Sequence, residues 1–181
     1  MILLSYDRRQ YQNDMINHIK LLDNVVEIGC HVGISTKIIS RLNQDGIVYA
    51  FDNSPESNEA MNNLGLDYRN IKFFNKDVRD KKVLYEFVEK YGQIDVLCID
   101  LGGGYHPDTV FKVFFIWSSV LKPRVTMIRN RGLIDFINSA TTFENIQSKN
   151  GYLESSYKDI LPSSLKELQL WSKKNKKLKN Q

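Results

Sequence analysis

Five short apolar runs punctuate this chain, each closing on a polar residue, with amphipathic stretches between them. The runs cover 24–28, 47–51, 71–75, 94–99 and 125–129. Their β-branched and aromatic side chains and their brevity predict strands. Between them the apolar positions recur at helical spacing. Over 8–22, Tyr11, Met15, Ile19 and Leu22 fall on one face. A helix over 33–43 is expected to bury Ile34, Ile38 and Leu42, and Asn43-Gln44-Asp45-Gly46 ends it. Ser54-Pro55-Glu56 opens another, with serine as N-cap and proline at the first helical position. Further helices are predicted over 81–91 and 108–121. After Asn130 the pattern thins to a helix over 133–141, a strand over 151–157 and a short helix over 162–171.

Strands that are almost wholly apolar and alternate with helices imply a parallel sheet covered on both faces. The expected fold is α/β, Rossmann-like and doubly wound, with a mostly parallel sheet. Right-handed crossovers then place any ligand crevice at the carboxyl ends of the strands, where strand order reverses. The polar residues that close the strands become the ones to inspect: Glu27 and Gly29, Asp52, Asp77, Asp100 and Arg129.

Composition narrows the class. The 181 residues, 42% apolar and 25% charged, suit one domain over 1–165. No run approaches the ~18 apolar residues that cross a membrane. The segment Met1 to Arg8 charges too soon for a signal peptide. Cys30 and Cys98 show no metal spacing and follow apolar runs, as expected of reduced structural thiols in a cytoplasmic protein without a metal site. The net charge of +4 is unevenly placed: residues 166–181 carry six lysines against Glu167, so the body is close to neutral. Such a tail suits a solvated end, and equally an electrostatic contact with RNA.

The sharpest chemical signal lies at 25–36, where Val25-Val26-Glu27-Ile28 runs into Gly29-Cys30-His31-Val32-Gly33 and a helix follows at once. A strand that breaks through glycines into a helix N-terminus presents free amides and a favourable dipole to a polar ligand group. The spacing does not satisfy the G-x-G-x-x-G of dinucleotide folds. Asp52, 23 positions after Gly29 at the end of the second predicted strand and beside Asn53, can accept both hydroxyl protons of a ribose. It can also cap the helix that Ser54-Pro55 opens. Asp77-Val78 offers a carboxylate beside a backbone amide, the pair an adenine edge requires. Asp100 precedes three glycines, Gly102 to Gly104, which suits a close approach to a ligand or a mobile loop. His106 reads equally as a general base or a helix cap, His18 as surface, and His31 as a residue that shapes its loop.

Taken in order, these segments resemble the motifs of the class I S-adenosylmethionine (SAM) dependent methyltransferases. Acid-x-Gly-x-x-x-Gly at Glu27, Gly29 and Gly33 is similar to motif I, with His31 in place of the middle glycine; Asp95 to Gly104 is similar to motif IV. The resemblance spans 24–130 and implies SAM as cofactor. It places Glu27, Gly29, Cys30, His31 and Gly33 about the methionine moiety, Asp52 and Asn53 at the ribose, and Asp77 and Val78 at adenine. Asp100 serves both cofactor and acceptor, with Asp100 and His106 as catalytic candidates. The D/N-P-P-Y/F pattern is absent, which disfavours methylation of exocyclic or glutamine-amide nitrogens. Within the superfamily, 46–55 is similar to the second-strand segment of fibrillarin-type RNA 2′-O-methyltransferases. Arg129, where that family has lysine, departs from it, because a guanidinium is a poor proton acceptor. The expected activity is methyl transfer to an acceptor that is a small molecule or RNA. A non-catalytic SAM-binding module and a nucleotide-binding oxidoreductase are the alternatives.

Overall fold

The structure is a computed structural model that describes residues 1–141 and 147–154. Six strands are present: β1 (Ile2–Ser5), β2 (Val25–Ile28), β3 (Val48–Asp52), β4 (Ile71–Asn75), β5 (Val96–Ile99) and β6 (Val125–Arg129). The helices are α1 (Arg8–His18), α2 (Ile34–Leu42), α3 (Pro55–Asp67), α4 (Lys81–Tyr91), α5 (Pro107–Leu121) and α6 (Arg131–Ser139). The sheet runs β1-β6-β5-β2-β3-β4, and every neighbouring pair is parallel. The chain therefore winds outward from β2 through β3 to β4, then returns to β5 beside β2. Strand order reverses between β2 and β5, the position at which such sheets open a crevice.

The period of two along each strand divides the core. Val26, Ile28, Tyr49, Phe51, Leu97 and Ile99 face a cluster built on α4 and α5 that holds Phe87, Phe114 and Trp117. Val25, Val48, Ala50, Val96 and Cys98 face the other side, where α1, α2 and α3 supply Tyr11, Met15, Ile39 and Met61. Glu27 shares that second face and is 1% exposed. At roughly 25 cal/mol per Å² of apolar surface, burial on both sides is the main force holding the sheet.

Several expectations need correction. β1 was not predicted: four residues at a sheet edge carry almost no periodic signal, and its pairing with β6, Ile2 opposite Thr126, decides it. The first helix stops at His18, and Leu22 is 71% exposed beyond it. α2 turns Thr36, Ile39 and Ser40 inward, whereas Ile34 is 52% exposed at the crevice rim and Ile38 only half-buried. The expected strand at 151–157 is no strand over its described residues, 151–154. Gly151 instead donates its amide to the Pro123 carbonyl and accepts from the Thr126 hydroxyl, which pins it to the start of β6 outside the ladder. The helix over 162–171 and the lysine tail lie outside the described residues. No described helix is long and apolar enough to cross a membrane.

Candidate active site

The loops that leave β2 to β6 enclose a crevice of about 820 Å³ at the carboxyl ends of the strands. Gly29, Cys30, His31, Asp52, Asn53, Asp77, Val78, Asp100 and His106 all line it. Glu27 and Gly33 do not: Glu27 lies beneath the loop, and Gly33 closes it against α3. Side chains from five separate segments thus meet because the parallel strands end at one edge.

The glycine loop is shaped by the protein's own packing. Gly29 has φ +86°, and a Cβ there would stand 2.4 Å from the Asp100 carbonyl oxygen. Its amide donates to the Phe51 carbonyl at 2.8 Å. Gly33 has φ +83°, and a Cβ would meet Leu64 and Met61 of α3 at 2.6 and 2.8 Å. Sequence reasoning expected both glycines to let the loop pass close to a ligand. Packing adds a second requirement: the neighbouring strand end demands a glycine at 29, and α3 demands one at 33. Glu27 braces the loop from below, accepting from the Thr36 hydroxyl at 2.6 Å. Burial pushes its carboxyl up to about 8 against the opposing pull of that hydrogen bond, so the acid is largely neutral at pH 7. Cys30 and Cys98 are buried free thiols, pushed up chiefly by burial and next by the Glu27 charge.

On the β3–β4 side, two carboxylates are held in place. Asp52 accepts from the His31 amide through Oδ2 and from the Ser54 amide through Oδ1, each at 2.8 Å. It therefore stabilises the turn into α3 and lines the crevice, while Ser54 is the N-cap of α3. Two amides fix the plane of the carboxylate, and each oxygen retains a lone pair for a further donor. Asp77 is gripped by Arg79, Nε to Oδ1 at 2.8 Å and Nη2 to Oδ2 at 2.7 Å, a charge-assisted fork. Val78 beside it lines the crevice and accepts from Trp117 Nε1 at 3.0 Å, which ties the strand end to α5.

The β5–β6 side is built differently. Arg129 closes β6 and donates from Nε to Asp100 Oδ1 at 2.8 Å, with Nη2 in ion-pair contact with the same oxygen at 2.7 Å. Burial lifts the Asp100 carboxyl above its ordinary value, and the Arg129 hydrogen bond and charge pull against that. Asp100 Oδ2 has no protein partner among the described residues. The following turn, Leu101–Gly104, places Gly102 and Gly103 at φ +61° and +66°. Gly103 and Gly104 lie against the Arg129 guanidinium. His106 is left-handed at φ +57° and makes no side-chain cap on α5. His31 is left-handed too, at φ +48°. Both histidines thus stand at the crevice with left-handed backbone, as Lys122 does away from it.

Sequence reasoning missed Arg8, Lys76 and Arg79, which also line the crevice. Lys76 and Arg79 flank Asp77, so the residues next to a strand-end acid were the available signal. Arg8 follows β1 and went unnoticed because β1 itself did. Arg129 was singled out, but its pairing with Asp100 joins residues 29 apart and has no local signature.

A methyltransferase-domain family matches residues 26–130, more than half of the chain. The chain belongs to that family, and its parallel, doubly wound sheet is Rossmann-like. No curated protein sequence matches it. Among solved structures it is similar to the fibrillarin of Aeropyrum pernix with natively bound SAM, at 22% identity and a TM-score of 0.43, covering 53% of this chain and 39% of that one. The Methanococcus jannaschii fibrillarin, a pre-rRNA processing protein, matches at 17% identity and a TM-score of 0.49, over 61% of this chain and 46% of that one. An rRNA methylase from Streptococcus thermophilus matches at 13% identity and 0.46, over 81% and 93%. The chain spans less than half the length of either fibrillarin.

Proposed function

We propose that the chain transfers a methyl group from SAM to an acceptor that enters over β5 and β6. The observation that carries this reading is the division of the crevice: a carboxylate fixed by two amides at Asp52 on one side, and a carboxylate with one unpartnered oxygen at Asp100 on the other. The donor and acceptor set fits SAM. A ribose diol needs two acceptor lone pairs in one plane, which Asp52 supplies, and a crevice of about 820 Å³ lies within the range of small-ligand sites.

When bound, SAM supplies an electrophilic methyl group on a sulfonium. Asp52, with Asn53 beside it, holds the ribose, and Asp77 with the Val78 amide reads adenine. The Gly29, Cys30 and His31 backbone would line the methionine moiety, with Glu27 and Gly33 bracing the loop. Alignment of nucleophile, methyl carbon and sulfur supplies most of the rate in such a displacement. Asp100 Oδ2 accepts the acceptor's hydrogen and turns its lone pair towards the methyl, while Arg129 keeps the carboxylate from rotating. His106 is the second candidate for taking the acceptor's proton, if the acceptor has one to lose. The lysines of 166–181 are proposed to add an electrostatic contact where the acceptor is RNA.

Transfer of labelled methyl from SAM to a panel of tRNA, rRNA fragments, catechols and small carboxylates tests the reading. Label in one acceptor class supports it. SAM binding with no transfer to any acceptor makes the chain a binding module. NAD retained through dialysis, with no SAM binding, makes it an oxidoreductase.

A further inference from the structure

Beyond the crevice mouth, on the β1–β6 side, three side chains from three segments form one group, a partly buried arginine against two exposed tyrosines. The Arg131 guanidinium lies 5.3 Å from the ring centroids of both Tyr6 and Tyr105. Arg131 Nη1 also donates to the Tyr105 hydroxyl at 2.9 Å. Tyr6 is 45% and Tyr105 57% exposed, so each ring offers open surface. Asn130 anchors the group by donating to the Tyr105 carbonyl at 2.8 Å. Each member stands within three positions of a crevice residue: Tyr6 near Arg8, Tyr105 near Gly103 and His106, and Arg131 near Arg129.

Neither core packing nor the cofactor accounts for two half-exposed tyrosines on either side of an arginine. The proposed ribose and adenine contacts lie over β3 and β4, at the opposite end of the crevice. Arg8 and Arg9 are exposed on the adjacent first turn of α1. Aromatic faces interleaved with arginines, open to solvent instead of enclosed, suit unstacked bases on a phosphate backbone. A small aromatic acceptor would gain little from rings placed outside the crevice.

We propose that Tyr6, Arg131 and Tyr105 form a stacking platform for a base of a single-stranded RNA acceptor, next to the nucleotide that enters the crevice. This rests on the methyltransferase reading above. The rings stack on the base, and Arg131 and Arg8 face the flanking phosphates.

Fluorescence anisotropy of the full chain with a labelled single-stranded RNA tests the platform, with SAM titrated separately into each variant. Tyr6→Leu together with Tyr105→Leu should weaken RNA binding by about five- to a hundredfold. The slope of affinity against salt should be unchanged, because stacking releases no counterions. Tyr6→Phe should bind as the wild type does, and SAM affinity should be equal in all variants. Wild-type protein that binds SAM but no single strand overturns the platform and leaves the methyltransferase reading standing. So does a double variant of undiminished RNA affinity. Equal competition by free nucleosides and by the oligonucleotide also overturns it, pointing to a small aromatic acceptor. Failure of the wild type to bind SAM strikes the underlying reading instead.

Discussion

The two halves of the crevice are held by different forces. Over β3 and β4, Asp52 is pinned by backbone amides within two short stretches of chain, and Asp77 by an arginine two residues away. Over β5 and β6, Asp100 depends on Arg129 from another strand, beside a turn of left-handed glycines. Backbone amides orient the Asp52 carboxylate directly, whereas Asp100 is oriented by a side chain that reaches over from the neighbouring strand in a nearly buried ion pair. On the proposed reading, the first half serves the cofactor and the second the acceptor.

Damage to the two halves should therefore be read in different quantities. Asp100→Asn keeps size and a hydrogen bond to Arg129 but removes the proton acceptor. Turnover should fall by roughly 10²–10⁴ while SAM affinity changes little. Near-normal turnover would make Asp100 a strand-end residue only, and a loss of SAM affinity would move it into the cofactor half.

Gly29 joins the halves, since its amide bonds to the end of β3 and its α-carbon abuts the end of β5. In Gly29→Ala a new methyl meets the Asp100 carbonyl in a backbone conformation that alanine resists. The expected loss is about 2–5 kcal/mol of stability, measured as a lower urea midpoint. A variant as stable as the wild type would mean that the strand ends can separate freely.

Glu27 lies under the loop that both halves share. Its folded value of about 8 exceeds the ordinary 4.5, so the folded state binds the proton more tightly than the unfolded chain. The stability contributed by the neutral acid is complete below pH 4.5 and is lost as pH rises through 8. Glu27→Gln cannot ionise. Its stability relative to the wild type should rise by about 2–4 kcal/mol across that window. Parallel curves of melting temperature against pH would show that Glu27 is charged at neutral pH.

The same division governs how much could be read from the sequence. Asp52, Asp77 and the Gly29–Gly33 loop stand in contiguous motifs at strand ends, so their spacing and their resemblance to family motifs made them legible. The reason given for the glycines was incomplete, because contacts with Asp100 and α3 depend on tertiary packing. Five of the six strands were readable as short apolar runs. β1 was not, since a four-residue edge strand is decided by its partner. With β1 went Arg8 and Tyr6, and the Asp100–Arg129 pair could not be read because it crosses between strands. His31 is read from sequence as shaping its loop and His106 as a base or a helix cap, but the left-handed backbone of both has no signature in the neighbouring residues.

The central claim is that this crevice holds SAM, with the Asp52 carboxylate on the ribose. Isothermal titration of SAM into the wild type and into Asp52→Ala tests it most directly, with circular dichroism to verify folding. The account predicts saturable binding to the wild type and a loss of about 1.5–3 kcal/mol, roughly ten- to a hundredfold in affinity, in the variant. Equal affinity in a folded variant, or no binding to the wild type, would contradict it.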